Sequence, residues 1–351
     1  MIKIAQGNLL RADVEALVNT VNCDGFMGKG IALQFKRAFP ENFTVYQRDC
    51  RAGQVKPGSM LTVATGSMVN PAYIINFPTK LHWRERSRME DIRTGLEALV
   101  AEIRRLGIRS IAIPPLGCGN GGLDWRVVKP LILSAVSQLP AVEFHIFEPV
   151  GAPAPADMPV GTARPKMTPG RAAIIKLMER YSALDYRRTL LEIQKLAYFM
   201  QEAGEPLQLR FVAATYGPYA DNLNKVLERL QGHFLNGVGD RVSPDVEIEL
   251  MPNAAEEADA FLAAAPESTR HHLDRVTKLI SGFESPYGME LLSSAHWAAT
   301  RIGAPTDVSA IITQRVHAWN DRKRSVLKPQ HIRIAVDRLR EERWLKPDAE
   351  K

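Results

Sequence analysis

The chain has 351 residues, 45% hydrophobic and 24% charged, with a formal net charge of +6. That length suffices for two domains with separate cores, and no apolar stretch approaches the roughly 20 residues of a membrane helix. Three cysteines, Cys23, Cys50 and Cys118, without a CxxC pair, argue against a disulfide framework or a zinc site and point to a reducing cytoplasm.

Met1–Ala5 reads as a strand and lacks the apolar core of a signal peptide. Further strand-like runs are predicted at Ala16–Thr20, Met60–Ala64, Tyr73–Phe77, Ser110–Ile113 and Glu143–Glu148. Helical periods are predicted at Gly30–Ala38, Met89–Leu106 and Arg126–Gln138. Strands alternating with helices imply a layered α/β domain with a parallel or mixed sheet, whose ligands bind beyond the C-terminal strand ends. Pro149 to Gly170 is rich in proline and glycine and reads as a linker, 151–169. Residues 170–351 are predicted mostly helical: Arg171–Tyr181, Arg187–Glu202, Tyr219–Leu230, Ala254–Ala264, Glu267–Gly282, Tyr287–Gly303, Asp307–Asn320 and Pro329–Arg340. Pro244–Leu250 alternates like a short strand. The Gly217-Pro218 pair reads as a turn opening a helix.

Charge is uneven. Residues 1–150 carry 18 Lys/Arg against 13 Asp/Glu, and residues 151–351 carry 27 against 26. A mildly basic first half fits a polyanion such as nucleic acid, and equally an ordinary basic surface. Residues 244–269 hold seven acidic side chains and no Lys or Arg, while Arg322 to Lys346 is basic. Such runs are ordinarily solvated faces, and otherwise docking surfaces. The second half's histidines show no metal-ligand spacing.

Two glycine-rich turns carry the chemistry. One runs from Asn22 through Met27-Gly28-Lys29-Gly30-Ile31 after an apolar run. The other is Gly117-Cys118-Gly119-Asn120-Gly121-Gly122-Leu123 after Ile111-Ala112-Ile113. Strand, glycine turn and helix start bring backbone N–H groups to an anion, so two such turns suggest a diphosphate held from both sides. Gly117, Gly119 and Gly122 match the G-x-G-x-x-G spacing of NAD-binding folds, but late in the domain. The first turn has Leu33 in place of the third glycine and lacks the Ser/Thr of a Walker A loop. Lys29 reads as a turn residue facing solvent or phosphate. Cys23 and Cys118 read as small turn fillers. His82 and Trp83, on a loop after Lys80, are candidates for contact with a base, with an idle surface loop the alternative.

In order, Gly7-Asn8-Leu9-Leu10, Asp13 to Asn19, Asn22, Met27-Gly28-Lys29-Gly30-Ile31-Ala32 and Pro114 to Gly119 resemble a macrodomain across residues 1–150. Asn76-Phe77-Pro78-Thr79-Lys80, followed by a helical domain, resembles the DarG family. These antitoxins remove ADP-ribose from DNA and oppose the DNA-modifying toxin DarT. The resemblance implies a three-layer α/β/α macrodomain with a mixed sheet, then a mostly helical toxin-binding domain. Asn8 and Leu9 then stand where adenine is recognised, with an amide at Asn8 in place of the usual Asp. Residues 28–31 and 117–123 would wrap the diphosphate and distal ribose. Asn22, catalytic together with Lys80, would bond that ribose; Asn19 would sit close by or support the turn, and Met27 and Thr79 would belong to the ADP-ribose-binding set. Lys80 matches the catalytic position. A related protein glycohydrolase has an acid in the second turn; here that place is Gly121, and Asp124 is the nearest carboxylate. The implied substrate is ADP-ribosylated single-stranded DNA, the product is ADP-ribose, and the partner is a DarT-type toxin. No cofactor, metal or membrane is implied.

A lysine suits this bond. N-glycosides break through oxocarbenium character at the anomeric carbon, which an amine can attack to form an imine; an ammonium can instead assist the departing base. Nucleophilic work needs a neutral amine, hence a lowered pKa. A reader of ADP-ribose without hydrolysis and a hydrolase of modified protein are the competing readings, with an NAD-dependent oxidoreductase third.

Overall fold

A computed structural model of the protein describes residues 1–150, 157–181, 188–238 and 247–345. The chain divides into two compact units at Ala163/Arg164. The first is built on a six-stranded sheet of β1 (Ile2–Ala5), β2 (Ala16–Val21), β3 (Leu61–Ala64), β4 (Tyr73–Pro78), β5 (Ser110–Ile113) and β6 (Glu143–Phe147). Strand order is β1-β6-β5-β2-β4-β3; β3 is antiparallel to β4 and every other pairing is parallel. This mixed sheet is the expected macrodomain class. The central strands are buried, as parallel strands covered on both faces must be: Ala16, Leu17 and Val18 are each 0% exposed.

The helices are α1 (Gly30–Ala38), α2 (Pro40–Arg51), α3 (Met89–Leu106) and α4 (Trp125–Val136). Three were expected and α2 was not. Its buried face is Asn42, Tyr46, Asp49 and Cys50, a helical period written mostly in polar side chains, which an apolar pattern search passes over. In α3, Ile92, Leu96, Leu99, Val100 and Ile103 are buried and form one core with Ile75, Phe77, Ile111 and Ile113 of the sheet.

Residues 157–161 of the expected linker, 151–169, lie against the first unit. Asn8 Nδ2 donates to the Asp157 carbonyl at 2.9 Å, Gly161 N–H donates to the Arg37 carbonyl at 2.9 Å, and Met158 packs against the core that contains Leu9 and Leu10. Proline limits the backbone's torsions but leaves it free to lie along a surface and bond to it. Residues 151–156 lie outside the described residues.

The second unit contains α5 (Pro169–Tyr181), α6 (Leu190–Glu202), α7 (Asp221–Leu230), α8 (Ala254–Ala263), α9 (Glu267–Ile280), α10 (Pro286–Thr300), α11 (Ser309–Trp319), α12 (Asp321–Val326) and α13 (Pro329–Glu341). Thr189 and Glu192 form a capping box at the start of α6. Gly217–Tyr219, expected to open a helix, is instead a strand paired antiparallel with Val212–Ala214, and α7 begins two residues later. Buried Lys195 of α6 bonds to this strand: its Nζ donates to the Pro218 carbonyl at 2.8 Å. The predicted strand at 244–250 is seen as Glu249–Leu250 paired with Leu235–Asn236; residues 244–246 lie outside the described residues, as do Arg187 and Lys346. Within the acidic run, Glu257 pairs with Arg164 and Asp259 with Lys176, both at 2.7 Å. Part of that charge is therefore neutralised from elsewhere in the chain, while Glu249, Glu256 and Glu267 are exposed.

Candidate active site

Strands β5, β2 and β4 are adjacent and parallel. Their C-terminal ends therefore deliver three loops to one edge: the second glycine turn, the first glycine turn and the Lys80 loop. The β2–β4 register sets Val21 opposite Pro78, which brings Asn22 beside Thr79. Thr79 N–H continues the ladder to the Val21 carbonyl (2.9 Å) and Cys23 N–H donates to the Leu81 carbonyl (3.0 Å), so the first turn and the Lys80 loop are stitched together.

Lys80 spans the two turns. Its carbonyl accepts from Cys23 Sγ at 3.5 Å, while its Nζ donates to the carbonyls of Glu85 at 3.1 Å and Asn120 at 3.4 Å. Burial pushes its pKa below the ordinary lysine value. Asn120 also faces the first turn: a Cβ added at Gly30 (φ +57°) would lie 3.0 Å from Asn120 Nδ2. Only glycine gives this close approach without strain.

The two helix starts differ. At α1 the N-cap is Lys29, whose side chain gives no cap. At α4, Asp124 Oδ1 accepts from Arg126 N–H at 2.9 Å, and its carboxylate is also paired with the Arg126 guanidinium at 2.7 Å. An anion is therefore favoured at the first helix start and opposed at the second.

Several expected contact residues lie beneath the surface. Asn19 is 0% exposed; its Nδ2 donates to Asn76 Oδ1 at 2.9 Å, and Asn76 and Asn42 exchange side-chain bonds of 2.7 and 3.2 Å. Met27 is buried in a core with Val21 and Tyr46. Thr79 is buried with its hydroxyl on the Val21 carbonyl. These three support the turns from below. Asn22, expected on the ribose, organises the first turn itself. Its Oδ1 accepts from Asp24 N–H (2.9 Å) and the Tyr46 hydroxyl (3.1 Å), and its Nδ2 donates to the Phe26 carbonyl (2.6 Å). Asn8 Oδ1 accepts from Leu10 N–H at 3.0 Å, and with Nδ2 on Asp157 both ends of that amide are engaged. Gly28, Lys29, Gly119, Asn120 and Gly122 are exposed on the turns, and Leu9 is buried.

Tyr46, Asn42, Ser87 and Asp24 were not singled out from sequence. Asp24 Oδ2 lies 2.8 Å from both Trp83 N and His82 Nδ1, pinning the loop beyond Lys80. Burial is the chief cause that pushes the Cys23 and Cys118 thiols up to about 12 and about 11. Neither is a thiolate near neutral pH, in keeping with turn fillers. Among the described residues no cluster of His, Cys, Asp or Glu could hold a metal, and no helix is long and apolar enough to cross a membrane.

The Macro domain family model matches residues 18–132. The DNA ADP-ribosyl glycohydrolase of Thermus aquaticus is 48% identical over 99% of this chain and 95% of its own length. The chain belongs to the DNA ADP-ribosyl glycohydrolase family. The Mycobacterium tuberculosis DNA ADP-ribosyl glycohydrolase is 44% identical over 97% of this chain and 99% of its own. A Thermosipho africanus DNA ADP-ribosyl transferase–DNA ADP-ribosyl glycohydrolase fusion protein is 30% identical over 39% of each chain.

In this member of the DNA ADP-ribosyl glycohydrolase family, position 121 of the second turn has no room for an acid. A Cβ at Gly121 would collide with Ser87 Oγ and the Gly117 carbonyl, and Ser87 N–H already donates to the Gly121 carbonyl at 3.0 Å. Asp124 is committed to capping α4. The carboxyl of Asp91, on the first turn of α3, is held above its ordinary value by burial and by Glu90 and Glu85.

Proposed function

We propose that the first unit hydrolyses the N-glycosidic bond between ADP-ribose and thymidine bases of single-stranded DNA, and that the second binds and blocks the DNA ADP-ribosyltransferase toxin. The observation that supports the first half is Lys80 itself: its Nζ donates to the Asn120 carbonyl of the second glycine turn, its own carbonyl accepts from Cys23 of the first, and burial lowers its pKa. A neutral amine has two hydrogens and one lone pair. With both hydrogens on the Glu85 and Asn120 carbonyls, the lone pair remains for an electrophile seated between the turns.

In the reaction Nζ attacks the anomeric carbon of the distal ribose as its bond to the thymine nitrogen breaks. The electron pair leaves on the base, which takes a proton from the attacking amine. Ring opening gives an imine, and water hydrolyses it, releasing ADP-ribose and restoring the amine. Backbone N–H groups of the turns hold the diphosphate through these steps. The names of the near full-length relatives support this reading. The Thermosipho protein supports the toxin pairing, since its name joins transferase and glycohydrolase in one chain. The exposed acidic side chains of the second unit suit a toxin surface made for DNA. Reversing Glu249, Glu256 and Glu267 weakens toxin binding on this reading, and unchanged affinity at low salt removes it.

The deciding experiment incubates the full chain with ADP-ribosylated single-stranded DNA and with ADP-ribosylated protein. Release from DNA alone is expected. Release from protein alone identifies a protein hydrolase, and tight ADP-ribose binding without release identifies a reader.

A further inference from the structure

Next to Lys80, three large apolar side chains face solvent: Phe26, Leu81 and Trp83 are 58, 50 and 45% exposed. Phe26 comes from the first glycine turn and Trp83 from the Lys80 loop. Their rings meet edge-on, with centroids 6.3 Å apart at 65°. The main chain that carries both rings is held in place. Asp24 Oδ2 accepts from Trp83 N–H at 2.8 Å, and the Phe26 carbonyl is bonded to Asn22 Nδ2 at 2.6 Å. The Arg84 guanidinium lies 4.7 Å from the Trp83 ring centroid. Arg84, Arg86 and Arg88 are all exposed, against Glu85 alone in the same stretch.

We propose that this Phe26–Trp83 pair is a stacking platform for the nucleobase next to the modified one on a single strand, with the Arg84 and Arg86 guanidinium groups receiving the adjoining phosphates. The proposal rests on the glycohydrolase reading and adds the substrate's neighbour to it. Exposed aromatic rings flanked by cations are how proteins hold unpaired nucleotides without reading their sequence. In a duplex the neighbouring base is stacked and hidden, so the platform makes the strand state of the substrate matter. A free nucleoside has nothing to place there.

The test uses the full chain with Phe26→Ala, Trp83→Ala and Trp83→Phe. Fluorescence anisotropy measures binding of unmodified labelled oligothymidylate, and release of ADP-ribose is compared between an ADP-ribosylated oligonucleotide and ADP-ribosylated thymidine. Each alanine variant is expected to weaken oligothymidylate binding about ten-fold. The ratio of kcat/KM on oligonucleotide to that on nucleoside should fall by about the same factor, with Trp83→Phe recovering most of it. Equal oligothymidylate binding by wild type and both alanine variants overturns the platform. So does an equal loss on oligonucleotide and nucleoside, which marks damage at Lys80. If the wild type releases ADP-ribose from neither substrate, the hydrolase reading fails, and the anisotropy alone decides the platform.

Discussion

Lys80 Nζ donates to the main-chain carbonyl of Asn120 at 3.4 Å, although the two residues are 40 positions apart. The bond ties the amine on the β4 loop to the second glycine turn, whose Asn120 side chain approaches Gly30 of the first. A ligand gripped by both turns therefore meets the amine at a defined position, and positioning of this kind lowers a barrier.

Lys80→Ala removes the amine and leaves the turns. Affinity for ADP-ribose, measured by calorimetry, should change little, while the single-turnover rate on ADP-ribosylated DNA should drop about 10³-fold. Because burial lowers the Lys80 pKa, the neutral fraction grows as pH rises toward that pKa. The rate should climb with pH and level off above it. A profile that falls with pH assigns Lys80 to the ammonium role instead.

Gly121→Asp supplies the missing acid in sequence but not in space. The new Cβ collides with Ser87 and Gly117, and overpacking of about 1–3 kcal/mol should distort the turn enough to weaken ADP-ribose binding about ten-fold or more. Gly119, with no atom within 4 Å of an added Cβ, should accept alanine with little loss. Higher activity in Gly121→Asp would contradict the packing described.

Asn76→Ala breaks the buried amide network under the first turn. It strips Asn19 and Asn42 of their shared acceptor and Asn42 of its donor, so roughly 3 kcal/mol of stability should be lost. Urea unfolding, followed with and without ADP-ribose to mark the first unit, measures it. A loss within the scatter of surface substitutions would show that the network is dispensable.

In the second unit, His296 is buried against Tyr198, with Nδ1 2.7 Å from the hydroxyl. Desolvation lowers its pKa from the ordinary 6.5 to about 4. The unfolded chain then takes up this proton before the folded one does. Stability is full above pH 6.5 and falls by about 1.4 kcal/mol per pH unit as pH drops toward 4. His296→Gln, which does not titrate, should flatten the fall of the second unit's Tm in this range. The same slope in wild type and variant would clear His296 of the role.

Much of the first unit was legible because its signals are local. Strands β2 and β5 contain the apolar runs Ala16–Val18 and Ile111–Ile113, α3 repeats its apolar side chains at helical spacing, and the glycines stand where turns must follow. The helix α2 was not legible, because its buried face carries Asn42, Tyr46, Asp49 and Cys50, and their burial depends on partners distant in sequence. The Gly217–Tyr219 strand was hidden for a related reason: its carbonyl is claimed by Lys195, 23 residues earlier.

By itself the sequence determined that two glycine turns and one lysine follow strands of the first half, since chain order and local spacing are properties of the chain alone. Only the tertiary structure decided which side chains face a ligand. Parallel pairing of β2 and β4 sets Asn19 beside Asn76 and sends both into the interior. The crowding of Ser87 and Gly117 around Gly121 excludes an acid at that position. Asp24 draws Trp83 toward Phe26. Each outcome depends on atoms brought together from separate segments, and packing, not spacing, settles which of them remain exposed.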